Sequence, residues 1–287
     1  MAFYGDQGGV GIAVPFGKRI AIPMSTSIVR IHAAFGFLVA ADGRKYDERK
    51  QRVISDTATK IFQLEAKDYC LAYSLAGTVG LGPDEDESIT FRFDEAVAQA
   101  VHALRKVRAI TLREFADNVG RSLCETLKAA KRDGKIGTLE GEPLPQNPER
   151  QKVAEIFWDG YFLGKEERAN LTISHRQGRS LKFHTEPVSL NALVLYGRPE
   201  VVRRIIDNDP CFGQYHREPN GSLANAIEVA EQCLLACSSQ IARDIDPESI
   251  TTGPRIHMAT ITRSGGFDYV DGFHPGTECP VDPAALI

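Results

Sequence analysis

The sequence has no CxxC pair, no HExxH or similar histidine array, and no apolar run long enough to cross a membrane. Its six cysteines, Cys70, Cys124, Cys211, Cys233, Cys237 and Cys279, are scattered over 287 residues. Such spacing reads as reduced, mostly buried thiols rather than a disulfide framework. Cys233 and Cys237 lie four apart in a helical pattern with no further ligands, so core packing is expected, with no zinc and no other cofactor. A basic excess is missing too. Lys and Arg number 34 against 38 Asp and Glu, for a net charge of -4 and a pI near 6.0, which makes nucleic acid and anionic membrane poor partners. The opening residues lack a basic start followed by a long apolar core. No secretory signal is therefore read, and the cytoplasm is the expected location.

What is present is ordinary for a globular chain: 43% hydrophobic and 25% charged residues, enough to bury a sizeable core. The most informative stretch runs from Thr26 to Lys60. Val29 and Ile31 alternate with Ser27, Arg30 and His32, and Phe35 to Ala41 is a nearly continuous apolar run that stops at Asp42-Gly43-Arg44. Apolar residues on both faces suit a strand buried between two layers. A carboxylate and a guanidinium at its end are costly to desolvate unless paired, so Asp42 and Arg44 are candidate site residues, or a structural ion pair closing the turn.

Thr26, the run Gly36-Phe37-Leu38-Val39-Ala40-Ala41-Asp42-Gly43-Arg44, Lys60-Ile61-Phe62 and Ala76-Gly77-Thr78 together resemble the first third of a proteasome-type (20S beta-subunit-like) subunit, one of the N-terminal nucleophile hydrolases. Laid on from the Ala-Ala-Asp-x-Arg core, the family's nucleophile falls on Thr26, and its lysine on Lys60 with two residues inserted. The helix and QVEYA-like run of the family's alpha-type subunits are absent. Further on, where catalytic members carry Gly and then Ser-Gly-Ser, this chain reads Gly197-Arg198-Pro199-Glu200. Where they carry DxxSGG, it reads Asp246-Pro247-Glu248-Ser249-Ile250-Thr251-Thr252-Gly253. Asp246 with Ser249, or Thr252 before Gly253, are the candidate supporting residues.

The order of elements fits that family. After strands to Gly77 and an acidic loop at 83–90, read as a solvated connection, two helices follow, at Phe93 to Leu104 and from Leu112 with Thr111 as N-cap. The segment Gly134 to Arg150 reads as an exposed loop. A meander of strands then runs to about His184, and Asn191 to Gly197 reads as a buried strand. Helices at Glu200 to Asp207 and Leu223 to Arg243 follow, the latter capped by Asn220 or Ser222. Two last strands flank a turn at Arg263 to Gly266. Strands, two helices, strands, helices and strands fit a four-layer αββα sandwich (α+β). We expect a single domain over residues 26–287, preceded by residues 1–25 as an extension or propeptide.

The resemblance implies a chemistry. A threonine at a chain terminus supplies a hydroxyl and an amine that can take its proton. Lys60 would lower the proton affinity of both, Asp42 would orient Lys60, and Gly77 would offer a backbone N–H to the oxyanion. The reaction is acyl transfer to water: hydrolysis of peptide or other amide bonds after loss of residues 1–25, in a homo-oligomer of ring or stacked form. The alternative is a non-catalytic proteasome-like subunit that keeps its N-terminus and acts in assembly or binding. Taken singly, the same residues have plainer readings: Thr26 a strand residue, Lys60 a surface lysine, Gly77 a turn.

Overall fold

The structure, a computed structural model, describes residues 21–24, 26–47, 52–81, 89–104, 109–139, 142–144, 147–176, 181–190, 193–197, 199–208 and 222–275. The acidic loop, apart from its last residues, falls outside them, as do Ser25, Arg198, Asn220, Cys211 and Cys279.

The first sheet holds β1 (Ala21–Met24), β6 (Ile61–Ala66), β7 (Tyr69–Leu81), β8 (Phe91–Arg92), β9 (Glu142–Leu144), β10 (Asn147–Phe162), β11 (Lys165–Arg176) and β12 (Lys182–Pro187), with β7, β10, β11 and β12 antiparallel neighbours in that order. The second is ordered β13 (Val194–Tyr196), β2 (Ile28–Ala33), β3 (Gly36–Asp42), β14 (Ile256–Thr262), β15 (Gly266–Tyr269). A small hairpin, β4 (Lys45–Asp47) with β5 (Arg52–Ser55), follows β3.

Side-chain alternation along the strands builds the layers. On β2, Val29 and Ile31 join Leu38, Ala40 and Met258 on the outer face of the second sheet, against Val229, Ala230, Cys233 and Leu234 of helix α4 (Leu223–Ser238). The opposite face sends Ile28, Phe37, Val39, Ala41 and Ala259 inward to meet Ile61, Ala72, Phe157 and Tyr161 of the first sheet. The first sheet's other face, Leu71, Tyr73, Ile156, Trp158 and Leu171, packs under α1 (Phe93–Leu104) and α2 (Leu112–Arg132). Helices, sheet, sheet, helices: the four-layer αββα arrangement follows from a period of two on the strands and 3.6 on the helices. Thr111 caps α2 by accepting the Glu114 N–H, as its hydroxyl before an apolar helical pattern predicts. Among the described residues, no helix is long and apolar enough to cross a membrane.

Three local expectations are corrected. The helix from Leu223 breaks at Ser239, which is extended (φ -68, ψ 161) and whose hydroxyl accepts the Ala242 N–H, starting a separate α5 (Gln240–Ile245). Ser222, one of the two caps expected for the helix from Leu223, accepts a helical N–H, from Asn225. The segment read as a buried strand is the short, half-buried edge strand β13, paired on one side to β2. The expected loop 134–150 buries Ile136 and Leu139 and contributes β9 to the sheet. α3 (Pro199–Asn208) lies where a helix was expected.

Candidate active site

The site lies where β3 stops. Asp42 ends the strand, opposite Ile256 of β14, and Gly43 turns the chain away. The Gly43 N–H donates to Arg255 O at 2.8 Å and its carbonyl accepts from Ala58 N at 2.9 Å. A side chain there would lie 2.2 Å from the Asp56 carbonyl oxygen, so only glycine fits.

This turn leaves the Asp42 carboxylate buried, at 0% exposure, among four donors from separate segments. Oδ1 accepts from Ser27 N at 2.9 Å and Lys60 Nζ at 3.1 Å. Oδ2 accepts from Arg44 N at 2.9 Å and Gly253 N at 3.0 Å. Charge-assisted bonds of this kind offset the desolvation of an ion that would otherwise be expelled from a core. Lys60 is also at 0% exposure, which overturns its reading as a surface lysine. Burial pushes its proton affinity down, Asp42 pulls it back up, and Lys45 and Arg44 push it down again.

Thr26 precedes this anchor. It is 3% exposed, and its Oγ1 is buried with no hydrogen-bond partner among the described residues. The Ser27 N–H, locked on Asp42, fixes the peptide next to it. Gly197, at φ +104, closes the other side: a Cβ there would lie 2.8 Å from Thr26 O and 2.9 Å from Ser27 Oγ. Immediately upstream, β1 pairs antiparallel with β7, Met24 opposite Gly77. Gly77 itself has φ +97, and a Cβ would meet Val153 O at 2.7 Å.

The expected Asp42–Arg44 ion pair does not form between the side chains. Arg44 instead forks onto Asp56, Nε to Oδ1 at 2.6 Å and Nη2 to Oδ2 at 3.2 Å, and its Nη1 donates to Ile250 O at 2.8 Å. Asp42 takes only the Arg44 main-chain N–H because its lone pairs are already filled. Arg44 thus ties the β4–β5 hairpin to the 3-10 turn Pro247–Thr251. Of the supporting candidates, Asp246 caps that turn by accepting the Glu248 N–H. Ser249 is buried with its Oγ unpartnered. Thr252 reaches the site, with Oγ1 3.1 Å from Ser27 Oγ, while the next residue supplies the Gly253 N–H to Asp42.

Four contributors escaped sequence reasoning: Ser27, Asp56, Cys237 and His257. The Cys237 thiol is pushed up to about 12 by burial while hydrogen-bonded with Ser27, so it is an inert neighbour. Only Ser27 carried a usable signal, as the residue after the proposed nucleophile.

No protein-family model matches the sequence, and no curated protein does. Solved structures similar in fold include an Anbu mutant from Hyphomicrobium sp. strain MC1, with TM-score 0.48, 14% identity, and 88% of this chain and 89% of that one covered. Another is Anbu, an ancestral beta-subunit, from Yersinia bercovieri, with TM-score 0.48, 9% identity, and coverage of 87% and 88%. The likeness is one of overall architecture.

Proposed function

We propose that this chain is a proteasome-like N-terminal threonine hydrolase. Residues 1–25 are removed as a propeptide, Thr26 becomes the nucleophile, and peptide or other amide bonds are cleaved by acyl transfer to water. One observation carries the reading: a buried ammonium, Lys60, is held on a carboxylate that also grips the main chain next to a buried, unpartnered threonine hydroxyl. A nucleophile's oxygen needs a base within reach, and in this reading the base is the amine that Thr26 itself gains once residues 1–25 are gone. The Lys60 charge would keep the freed amine and hydroxyl at low proton affinity, and the Gly77 N–H, once β1 has left, would face the oxyanion. Residues 26–287 act as one domain in this account. The assembly is a homo-oligomer, which would cover the exposed Val53 and Ile54 of β5. The free thiols Cys70, Cys124, Cys233 and Cys237 suit a cytoplasmic location.

A second reading has its own support. In the intact chain β1 is already a sheet strand on β7, so Thr26 begins as an internal residue. If residues 1–25 stay, the sandwich serves assembly or binding instead. Incubating the purified protein with a fluorogenic peptide amide library separates the two: hydrolysis that vanishes in Thr26→Ala supports the first, and none in either protein supports the second.

A further inference from the structure

The Asp42 carboxylate has two sides. Oδ1 accepts from Ser27 N at 2.9 Å, next to Thr26, and from Lys60 Nζ at 3.1 Å. Oδ2 accepts from Arg44 N at 2.9 Å and Gly253 N at 3.0 Å. A carboxylate can turn about its last side-chain torsion, whose energy well is broad. The two donors on Oδ2 stop that turn, and so decide where Oδ1 meets Ser27 and Lys60. They come from different loops, one after β3 and one after the 3-10 turn Pro247–Thr251, so a third group must hold those loops together.

Asp56, the residue after β5, stands against both. Its carbonyl oxygen lies 2.2 Å from where a Cβ on Gly43 would be, and its Oδ1 lies 2.7 Å from where one on Gly253 would be. Neither glycine could carry a side chain without displacing Asp56. Ala58 N, two residues on, donates to Gly43 O at 2.9 Å. The Asp56 carboxylate takes Arg44 Nε at 2.6 Å and Nη2 at 3.2 Å, which leaves Nη1 to reach Ile250 O of the 3-10 turn at 2.8 Å. Such a fork fixes the plane of the guanidinium as well as its place. The Arg44 side chain is 9% exposed and that of Asp56 30%, so this is not the freely solvated kind of pair that contributes little.

We propose that Asp56 is a positioning residue for the reaction at Thr26, bracing the two loops whose N–H groups orient Asp42. The role rests on the reading of Thr26 given above, and Asp56 itself touches no reacting atom. Without its carboxylate, the Arg44 guanidinium loses both bonds that set its plane, and Nη1 no longer holds Ile250, three residues before Gly253. The Gly253 N–H then leaves Oδ2 and the Asp42 carboxylate is free to turn. Ser27 N and Lys60 Nζ lose the fixed acceptor they share. A displacement of about 1 Å at the reacting atoms is enough to cost about 10²-fold in rate. A loss of this kind, felt in the transition state, lowers kcat and leaves KM nearly unchanged.

An ion pair that merely closed the β4–β5 hairpin would look the same from Arg44 alone. What sets this one apart is its other neighbour: the same carboxylate abuts Gly253, whose N–H is a donor to Asp42. The substitutions grade accordingly. Asp56→Asn keeps the shape and one acceptor for Arg44, whereas Asp56→Ala removes both acceptors. Asp56→Glu would drive a further methylene toward Gly253, where no room is left.

The test compares the purified wild-type protein with Asp56→Asn and Asp56→Ala in two readouts. In amide hydrogen exchange, Gly253 should lose about tenfold or more of its protection in Asp56→Ala, while the amides of the β3–β14 ladder keep theirs. In steady-state hydrolysis of a fluorogenic peptide amide, kcat should fall about 10²-fold in Asp56→Ala and about tenfold in Asp56→Asn, with KM within about twofold of wild type. Adding Arg44→Met to Asp56→Ala should cost little more, as expected of two residues acting through one brace. Melting curves set the assay temperature below the transition of every variant, and Asp56→Asn carries the comparison if Asp56→Ala melts too low. Unchanged exchange at Gly253, or a wild-type kcat in the folded variants, would overturn the proposal. A wild type that hydrolyses nothing, while Gly253 still responds to Asp56→Ala, overturns the Thr26 reading instead and reduces the brace to a structural one.

Discussion

Two ion clusters are buried in the same sandwich, and they are finished differently. Around Arg30 on β2, every guanidinium nitrogen has an acceptor: Nε on Asp159 at 2.7 Å, Nη1 on Asn170 Oδ1 at 2.6 Å and Tyr196 Oη at 3.4 Å, and Nη2 on Trp158 O at 2.8 Å. Arg168 joins the same carboxylate at 2.7 Å, and Arg30 lies over the Phe157 and Tyr196 rings. Around Asp42 the carboxylate is equally filled, yet Thr26 Oγ1, Ser249 Oγ and His257 Nδ1 have no partner among the described residues in the segments that build the site. Each orphan polar atom costs about 1–3 kcal/mol. Unpartnered buried atoms also occur away from both clusters, at Ser74 Oγ and Thr185 Oγ1, and Trp158 beside Arg30 leaves its Nε1 without a partner among the described residues. The first cluster ties the two sheets together through Arg30 and Asp159; the second grips the main chain at Ser27, Arg44 and Gly253 beside a threonine hydroxyl that has no partner among the described residues.

The comparison breaks most sharply at Thr26. Thr26→Ala should cut amide hydrolysis by roughly three orders of magnitude or more, while the unfolding free energy from denaturant titration stays within about 0.5 kcal/mol of wild type or rises slightly. A Thr26→Ala protein as active as wild type would mean the orphan hydroxyl is accidental. At the other cluster the signs reverse. Arg30→Met strands Asn170 and the Trp158 carbonyl and leaves Asp159 to Arg168 alone, so urea unfolding should show a loss of about 3–5 kcal/mol; a loss under about 1 kcal/mol would deny it a structural role.

Acid should expose the middle ground. His257 binds its proton at about 4 in the folded chain against 6.5 unfolded. The unfolded state therefore holds more protons between those values. The contribution of His257 to stability is intact above pH 6.5 and is lost as pH falls toward 4, by about 3 kcal/mol in full. His257→Gln should flatten that part of the melting temperature against pH curve, and an unchanged slope would remove His257 as its source. The smallest effect belongs to Thr252→Val, which deletes one hydroxyl contact to Ser27: about 1 kcal/mol by thermal melting, with a severalfold loss of hydrolysis.

How much of this was legible depends on whether a feature is local. The buried strand ending at Asp42, both long helices and the β10–β11–β12 meander are written in apolar periodicity, so the layers could be read in order. The pairing of Asp42 with Lys60 could be anticipated because both stand at a spacing that resembles a known pattern. Arg44 was assigned the wrong partner, because Asp56 returns to it through a hairpin whose geometry no periodicity encodes. Thr252 could not be separated from Asp246 and Ser249 until the 3-10 turn showed which of them faces Ser27. His257 was invisible, as a lone histidine in a strand matters only through the register that sets it opposite Ala41. Gly197 likewise looked like the end of a strand, not the cover of Thr26.

The central claim, that Thr26 is freed to act, is tested most directly by the N-terminal sequence and intact mass of the purified wild-type protein. The account predicts a chain beginning at Thr26, alongside a Thr26→Ala protein that still carries residues 1–25. A wild-type chain that retains residues 1–25 while hydrolysing amides, or one that retains them and hydrolyses nothing, would contradict it.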